Sequence, residues 1–242
     1  MRCWSGRRSR RRSPRRRCFE ASCQGCSGVG VKAKICGLMR AEDARCASEA
    51  GASYLGVVFA GGPRAVTQEE AGRVVAASGG VPVLGVFADR SVETILQICD
   101  RAGLSGAQLH GHYTSSDAER LRTAGLLVWR VVRIATPSDL EAVGSARLAS
   151  DAVLVEARSP AALGGTGTAL ELDLAQAARE RLAGHPMVLA GGLTPETVAE
   201  VIAKVRPEIA DVSSGVELSP GKKDHTKIVR FVEAVLAHSS VA

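Results

Sequence analysis

The stretch Met187–Thr197, M-V-L-A-G-G-L-T-P-E-T, decides how the rest of the chain is interpreted. Its first four residues are apolar and typical of a buried strand. Gly191 and Gly192 follow, and their missing side chains let the backbone approach a ligand closely. Thr194 is a favourable N-cap and Pro195 suits a first helical position, so a helix is predicted to begin there. The positive end of such a helix attracts phosphate.

The next predicted strand ends in a similar way. Ile209–Val216 reads I-A-D-V-S-S-G-V, in which Ser213, Ser214 and Gly215 are again small. Each turn taken alone is equally well explained as a tight connection between a strand and a helix. Two successive strand ends of this kind predict a phosphate cradle.

From Val31 onward, strand-like and helix-like segments alternate eight times. The predicted strands are Ala33–Cys36, Tyr54–Phe59, Val83–Phe87, Ala107–Leu109, Val128–Ile134, Ala152–Val155, Met187–Ala190 and Ala210–Val212. The predicted helices are Ala41–Ala50, Gln68–Ala77, Val92–Ala102, Ser116–Thr123, Ser138–Arg147, Leu172–Leu182, Pro195–Val205 and Thr226–Ala237. Eight such units in about 210 residues favour an α/β fold of the (β/α)8, or TIM-barrel, type, whose functional face lies at the C-terminal strand ends. A doubly wound sheet is the alternative, but the sequence has no early G-x-G-x-x-G.

Composition divides the 242 residues into two parts. Residues 1–30 contain nine arginines and one acid, Glu20, which leaves 22 basic and 24 acidic residues in the remainder. We interpret 1–30 as a disordered Arg-rich extension and 31–242 as the barrel domain. The basic charge belongs to the extension and predicts no nucleic-acid partner for the domain. The extension has three interpretations: a transit peptide, a nucleic-acid-binding arm, or, as we favour, a start codon assigned upstream of the true gene.

The cysteine pattern and the hydropathy pattern exclude several classes of protein. Cys23 and Cys26 have metal or redox spacing, but no second pair or histidine lies near them, so we predict no metal site. Nothing in the sequence asks for disulfides, which favours the reducing cytoplasm. The sequence has no apolar run of about 18 residues, so we predict no membrane span.

Several predicted strand ends carry reactive side chains. Cys36 ends strand 1 and is either a small buried apolar residue or a thiolate base or nucleophile whose pKa needs only modest depression. Arg64 is either solvated or placed to bind a carboxylate through two parallel bonds. His110 is predicted to face the pocket, and Glu156 ends strand 6 as a candidate functional acid. Leu163–Gly167 resembles a mobile loop that closes over a ligand.

Taken together, the motifs resemble one family. They are Lys34–Gly37, Val58–Arg64, Leu84–Phe87, Gln108–Gly111, Gly164–Gly167, Leu189–Pro195, Asp211–Glu217 and Pro220–Asp224. In this order and spacing they resemble phosphoribosylanthranilate isomerase of tryptophan biosynthesis, from about Val31 to the C-terminus.

The resemblance implies a cofactor-free Amadori rearrangement of N-(5-phosphoribosyl)anthranilate, a small phosphoribosyl substrate. It implies that Cys36 is the base and that Glu156 takes the place of the acid. Arg64 matches the residue that holds the anthranilate carboxylate. The phosphate cradle matches Gly191, Gly192, Ser214 and Gly215. The other candidate substrate-binding residues are His110, Gly165, Gly167 and Asp211.

The sequence departs from the family pattern in three places. Glu156 stands where the family usually has Asp, the short loop before Arg64 lacks the usual Ser before Pro, and residues 1–30 are extra. The related histidine-pathway isomerase resembles this chain but has Asp where Cys36 stands. A dual-substrate enzyme, a nucleic-acid-binding protein acting through the extension, and an inactive barrel remain open, as does the choice between monomer and homodimer.

Overall fold

A computed structural model describes residues 30–157 and 171–238. In this part of the chain eight parallel strands close into a barrel, because the last strand pairs with the first. The strands are β1 Lys32–Ile35, β2 Tyr54–Val58, β3 Val83–Ala88, β4 Gly106–His110, β5 Leu127–Ile134, β6 Ala152–Ala157, β7 Met187–Leu189 and β8 Ile209–Val212. The helices are α1 Ala41–Glu49, α2 Gln68–Ala76, α3 Val92–Ala102, α4 Ser115–Thr123, α5 Leu140–Ala146, α6 Leu172–Leu182, α7 Val198–Val205 and α8 His225–Ala237. The predicted (β/α)8 fold is confirmed.

Alternation along each strand separates an inner core from an outer core. On β6, Leu154 packs inside the barrel with Trp129 and Val188. Its neighbours Val153 and Val155 belong instead to the layer between strands and helices. Both faces are apolar, which is why these strands read as continuous apolar runs. At the C-terminal strand ends, which we call the barrel mouth, the inward positions become polar.

Helix starts follow local capping chemistry, with one correction. Thr67 and Thr114 each form a capping box with the acid three residues later. The prediction that a helix begins at Pro195 was wrong by one turn, since α7 starts at Val198. Thr197 closes a separate turn there, and its Oγ1 accepts a hydrogen bond from the Thr194 amide at 3.1 Å.

A short antiparallel hairpin after β8, with β9 at Glu217–Ser219 and β10 at Lys222–Lys223, was not predicted. Its turn residue Gly221 has a φ of 81°. A Cβ at Gly221 would lie 2.5 Å from Met39 Sδ and 3.0 Å from Pro63 O, so the hairpin packs tightly on the loops after β1 and β2. The hairpin thereby brings Glu217 and Lys223 to the barrel mouth.

Some predictions lie outside the described residues. These are the extension over residues 1–29, including Cys23 and Cys26, and the loop glycines Gly165 and Gly167. Within the described ranges, no helix has the length and apolar character needed to cross a membrane.

Candidate active site

The order of strands around the barrel arranges the predicted site residues in a ring. Cys36 directly follows β1, Arg64 lies in the loop after β2, His110 ends β4 and Glu156 lies near the end of β6. The predicted phosphate loops follow β7 and β8 and therefore lie between Glu156 and Cys36 along the ring. Thiol and carboxyl thus flank the loops from opposite sides.

Cys36 is buried and firmly held. Its amide donates to Val212 O at 2.8 Å, which fixes the backbone against β8. A Cβ at Gly56 would come within 2.8 Å of the Cys36 Sγ, so glycine on β2 makes room for the thiol. Burial raises the pKa of the Cys36 thiol, although Lys34 and Lys223 lower it. The depression that a thiolate base needs is therefore not present in the free protein, because desolvation outweighs both lysines.

Glu156 is buried at the mouth, with 8% of its surface exposed. Its Oε1 accepts a hydrogen bond from Arg133 Nε at 2.9 Å. Burial nevertheless raises the pKa of Glu156 above its ordinary value. A carboxyl that keeps its proton toward neutral pH suits a general acid.

A row of buried polar groups crosses the barrel beneath these two residues. Asp211 Oδ1 and Gln108 Oε1 each lie 2.9 Å from Lys34 Nζ, and Gln108 Nε2 lies 2.8 Å from His110 Nε2. Burial, with the charges of Arg133 and Lys34, lowers the pKa of His110 to about 3, so its ring is neutral. His110 ends β4 at the barrel mouth, where its Nδ1 lies 3.7 Å from Glu156 Oε1. Asp211, a predicted substrate contact, pairs with Lys34.

Arg64 is only partly available for a ligand. Its Nε and Nη2 donate to the two carboxylate oxygens of Glu217 at 2.8 and 2.7 Å. The two parallel bonds predicted for a substrate are thus made within the protein, and Nη1 makes no hydrogen bond to the residues that the structure describes. Burial alone would raise the pKa of Glu217, but hydrogen bonds and charge from Arg64 and Lys223 lower it. Glu217 is therefore ionised, and its carboxylate holds the guanidinium group of Arg64.

The loops after β7 and β8 require glycine. Gly191 and Gly192 have φ values of 98° and 69°, which other residues rarely adopt. A Cβ at Gly215 would overlap the carbonyl oxygen of Leu193, so the loops touch backbone to backbone. Ser214 begins a short 3₁₀ turn, Ser214–Val216, at this contact. TIM barrels commonly bind phosphate at such a place.

We expect Gly215→Ala to destabilise the protein by about 1–3 kcal/mol, because the added methyl group forces the two loops apart. Inorganic phosphate should also protect the variant less against thermal unfolding than it protects the unchanged chain. Gly72→Ala is the matched control, since a Cβ at this position of α2 meets nothing within 4 Å. Equal melting temperatures for the unchanged chain and both variants would contradict the tight contact.

Sequence reasoning missed five side chains of the site: Lys34, Gln108, Arg133, Glu217 and Lys223. A signal existed for the first two, because each lies two residues before a predicted site residue and shares its inward face. Arg133 is the register partner of Glu156 on the adjacent strand. Across the described ranges, no group of three or more Cys, His, Asp or Glu side chains is placed to hold a metal.

Comparison with known proteins identifies one family. Residues 33–234 match the family model for N-(5'-phosphoribosyl)anthranilate (PRA) isomerase. The N-(5'-phosphoribosyl)anthranilate isomerase of Trichlorobacter lovleyi is 39% identical over 204 residues, which cover 84% of this chain and 96% of that relative.

Solved structures lead to the same family. The phosphoribosyl anthranilate isomerase of Thermotoga maritima has a TM-score of 0.77 and 34% identity, and the match covers 86% of this chain and 99% of the other. A phosphoribosyl anthranilate isomerase in complex with reduced 1-(o-carboxyphenylamino)-1-deoxyribulose 5-phosphate has a TM-score of 0.75 and 32% identity, with coverage of 86% and 99%. This chain belongs to the N-(5'-phosphoribosyl)anthranilate isomerase family.

Proposed function

We propose that this chain catalyses the Amadori rearrangement of N-(5'-phosphoribosyl)anthranilate to 1-(2-carboxyphenylamino)-1-deoxyribulose 5-phosphate, a step of tryptophan biosynthesis. The observation that carries the proposal is the ring order at the barrel mouth. The buried Glu156 carboxyl and the buried Cys36 thiol flank the two glycine-bearing loops, and Arg64 lies beyond Cys36. A substrate with phosphate on those loops extends its ribose between acid and base and its anthranilate toward Arg64.

Glu156 starts the reaction as a general acid. It donates its proton to the ribose ring oxygen while the bond from that oxygen to C1′ breaks. The lone pair of the anthranilate nitrogen forms a double bond to C1′, which gives an open-chain Schiff base with a positive charge. The raised pKa of Glu156 supports this role, since the acid must hold its proton when the substrate binds.

Cys36 then acts as a general base. Its thiolate removes the proton from C2′, and the electron pair of that bond moves toward the Schiff-base nitrogen to give an enolamine. The enolamine tautomerises to the ketone at C2′. In the free protein burial favours the neutral thiol. The positive Schiff base adds to the charges of Lys34 and Lys223, and all three favour the thiolate at the step that needs it.

Arg64 binds the anthranilate carboxylate through its remaining donor, Nη1, while Glu217 holds the opposite edge of the guanidinium group. We expect Glu217→Gln to raise KM about 10-fold and to change kcat less, because Arg64 then turns away from its bound orientation. Steady-state kinetics check this. Asp224→Asn is the matched control, since the hydrogen bonds that the Asp224 side chain makes to described residues are those that cap α8. An unchanged KM in Glu217→Gln would contradict the role of Glu217.

Fresh N-(5'-phosphoribosyl)anthranilate tests the function most simply. The unchanged chain is expected to speed the loss of substrate fluorescence and to yield the aminoketose. A second arm offers the aminoaldose substrate of the histidine-pathway isomerase. Turnover of that compound alone would contradict the proposal, and turnover of both would identify a dual-substrate enzyme.

We also propose that residues 31–242 form the catalytic domain and that the protein acts in the cytoplasm as a monomer or homodimer. Every motif of the family lies in this range. A chain that starts at Val31 is expected to keep the kcat/KM and the melting temperature of the full chain. A large fall in either quantity would show that residues 1–30 belong to the catalytic domain.

A further inference from the structure

His110 lies between donors on both sides, so its tautomer determines what it presents to Glu156. Gln108 Nε2 lies 2.8 Å from its Nε2, and Arg133 Nη2 lies 3.3 Å from its Nδ1. Neutral imidazole has one acceptor nitrogen and one N–H group. Only one of the two donors can therefore be accepted.

Lys34 determines how the Gln108 amide is oriented. Its ammonium group has donors only, so the amide atom 2.9 Å away must be the oxygen of Gln108. The amide nitrogen then faces His110, and the Nε2 of the ring has to accept. Lys34 is itself held by Asp211 at 2.9 Å and by the face of Trp129, whose ring centre is 5.5 Å from Nζ. The orientation of the Gln108 amide is thus set by a fully buried ammonium group, which Asp211 and Trp129 hold in place.

We propose that Lys34 and Gln108 are positioning residues that hold His110 as its Nδ1–H tautomer and thereby place the acidic proton of Glu156 on Oε2. The Nδ1 atom lies 3.7 Å from Glu156 Oε1, and Arg133 Nε donates to the same oxygen at 2.9 Å. The bond from Arg133 Nε makes Oε1 the carbonyl oxygen of the protonated acid. At 3.7 Å the Nδ1–H group makes no hydrogen bond to Oε1, but the positive end of its dipole lies on the same side of the carboxyl group and favours the same assignment. Oε2 accepts no hydrogen bond from the described residues, so it is the oxygen that can deliver a proton to the substrate.

The contact from Arg133 favours the other tautomer of His110, but it is weaker than the contact from Gln108. An Nδ1 that accepted from Arg133 would put a proton on Nε2, directly against the N–H groups of Gln108 at 2.8 Å. The Arg133 contact with Nδ1 is longer, at 3.3 Å, and Arg133 keeps its shorter bond to Glu156 when it gives up the ring. Relaxing the longer contact costs less than forcing two donors together at the shorter one.

Nitrogen-15 NMR of the full chain near neutral pH measures the tautomer without substrate. The His110 signals, assigned with His110→Gln, should show a protonated Nδ1 and an unprotonated Nε2. The reverse pattern in the unchanged chain would overturn the proposal. His185 is the internal control, because it contacts Ser150 at the other end of the barrel and its signals should stay the same in every variant.

Gln108→Glu tests whether the tautomer of His110 affects turnover. The new carboxylate still accepts from Lys34 but also accepts from His110, so the ring should switch to its Nε2–H tautomer. The Nδ1 lone pair then replaces an N–H dipole 3.7 Å from Oε1, which removes part of the preference for a proton on Oε2, and kcat should fall about 10- to 100-fold with a smaller change in KM. A switched tautomer with unchanged kcat would overturn the proton placement. The role of the proton rests on the proposed function, whereas the tautomer does not, so an inactive unchanged chain with Nδ1–H would count against the function alone.

Discussion

Cys36→Ala should fold like the unchanged chain and lose nearly all turnover. A general base contributes about 10²- to 10⁴-fold, and no other thiol of the described residues lies at the barrel mouth. Deleting one buried sulfur costs about 1 kcal/mol of stability, which a barrel of this size tolerates. Phosphate and carboxylate are bound by other residues, so affinity for the product should persist. Turnover and calorimetric binding of the product separate the two effects.

Cys99→Ala is the matched control for this prediction. Cys99 is as buried as Cys36 but packs in α3, on the outer side of the barrel. It should lose a similar amount of stability and keep its turnover. A folded Cys36→Ala protein with the turnover of Cys99→Ala would exclude Cys36 as the base.

The second large effect is expected at Glu156. Glu156→Gln keeps the shape of the side chain and an oxygen for Arg133, but it has no acidic proton to give. We expect kcat to fall about 100-fold or more, while product affinity changes little. Near-normal turnover would mean that another residue protonates the ring oxygen.

Glu156→Asp tests whether the pocket fits a glutamate side chain better than an aspartate side chain. The shorter side chain withdraws the carboxyl by about 1.5 Å, one C–C bond, and so stretches its bond to Arg133. Because Arg133 holds Oε1 at 2.9 Å, we expect the pocket to fit Glu and the variant to lose about 10- to 100-fold in kcat. A gain in kcat would show that glutamate is a handicap at this position.

Local patterns were sufficient to predict the barrel and to put some of the site residues at strand ends. Strand-like runs ending in small or reactive residues predicted Cys36 and Glu156 at the mouth, because a strand's direction and its alternation are local properties. The same rule points inward at Lys34 and Gln108, two residues before Cys36 and His110. Lys34 and Gln108 lie within apolar runs, where a polar side chain is easily taken for part of the core pattern.

Contacts between distant parts of the chain could not be predicted from the sequence. Lys34 and Asp211 are 177 positions apart, and Arg64 and Glu217 are 153 apart, so neither pair leaves a signal in one sequence. The raised pKa of Cys36 also depends on burial by several strands at once. The start of α7 was predicted from the local pair Thr194 and Pro195, whereas the regular helix begins at Val198 after a turn over 195–197.

The most direct measurement follows formation of the C2′ carbonyl by NMR in a single turnover, with the protein in excess over fresh N-(5'-phosphoribosyl)anthranilate. Product release does not limit this experiment, so the rate reports the rearrangement itself. If Cys36 is the base, the unchanged chain forms the aminoketose about 10²- to 10⁴-fold faster than folded Cys36→Ala. Equal rates for the two proteins, or no aminoketose from the unchanged chain, would contradict this mechanism.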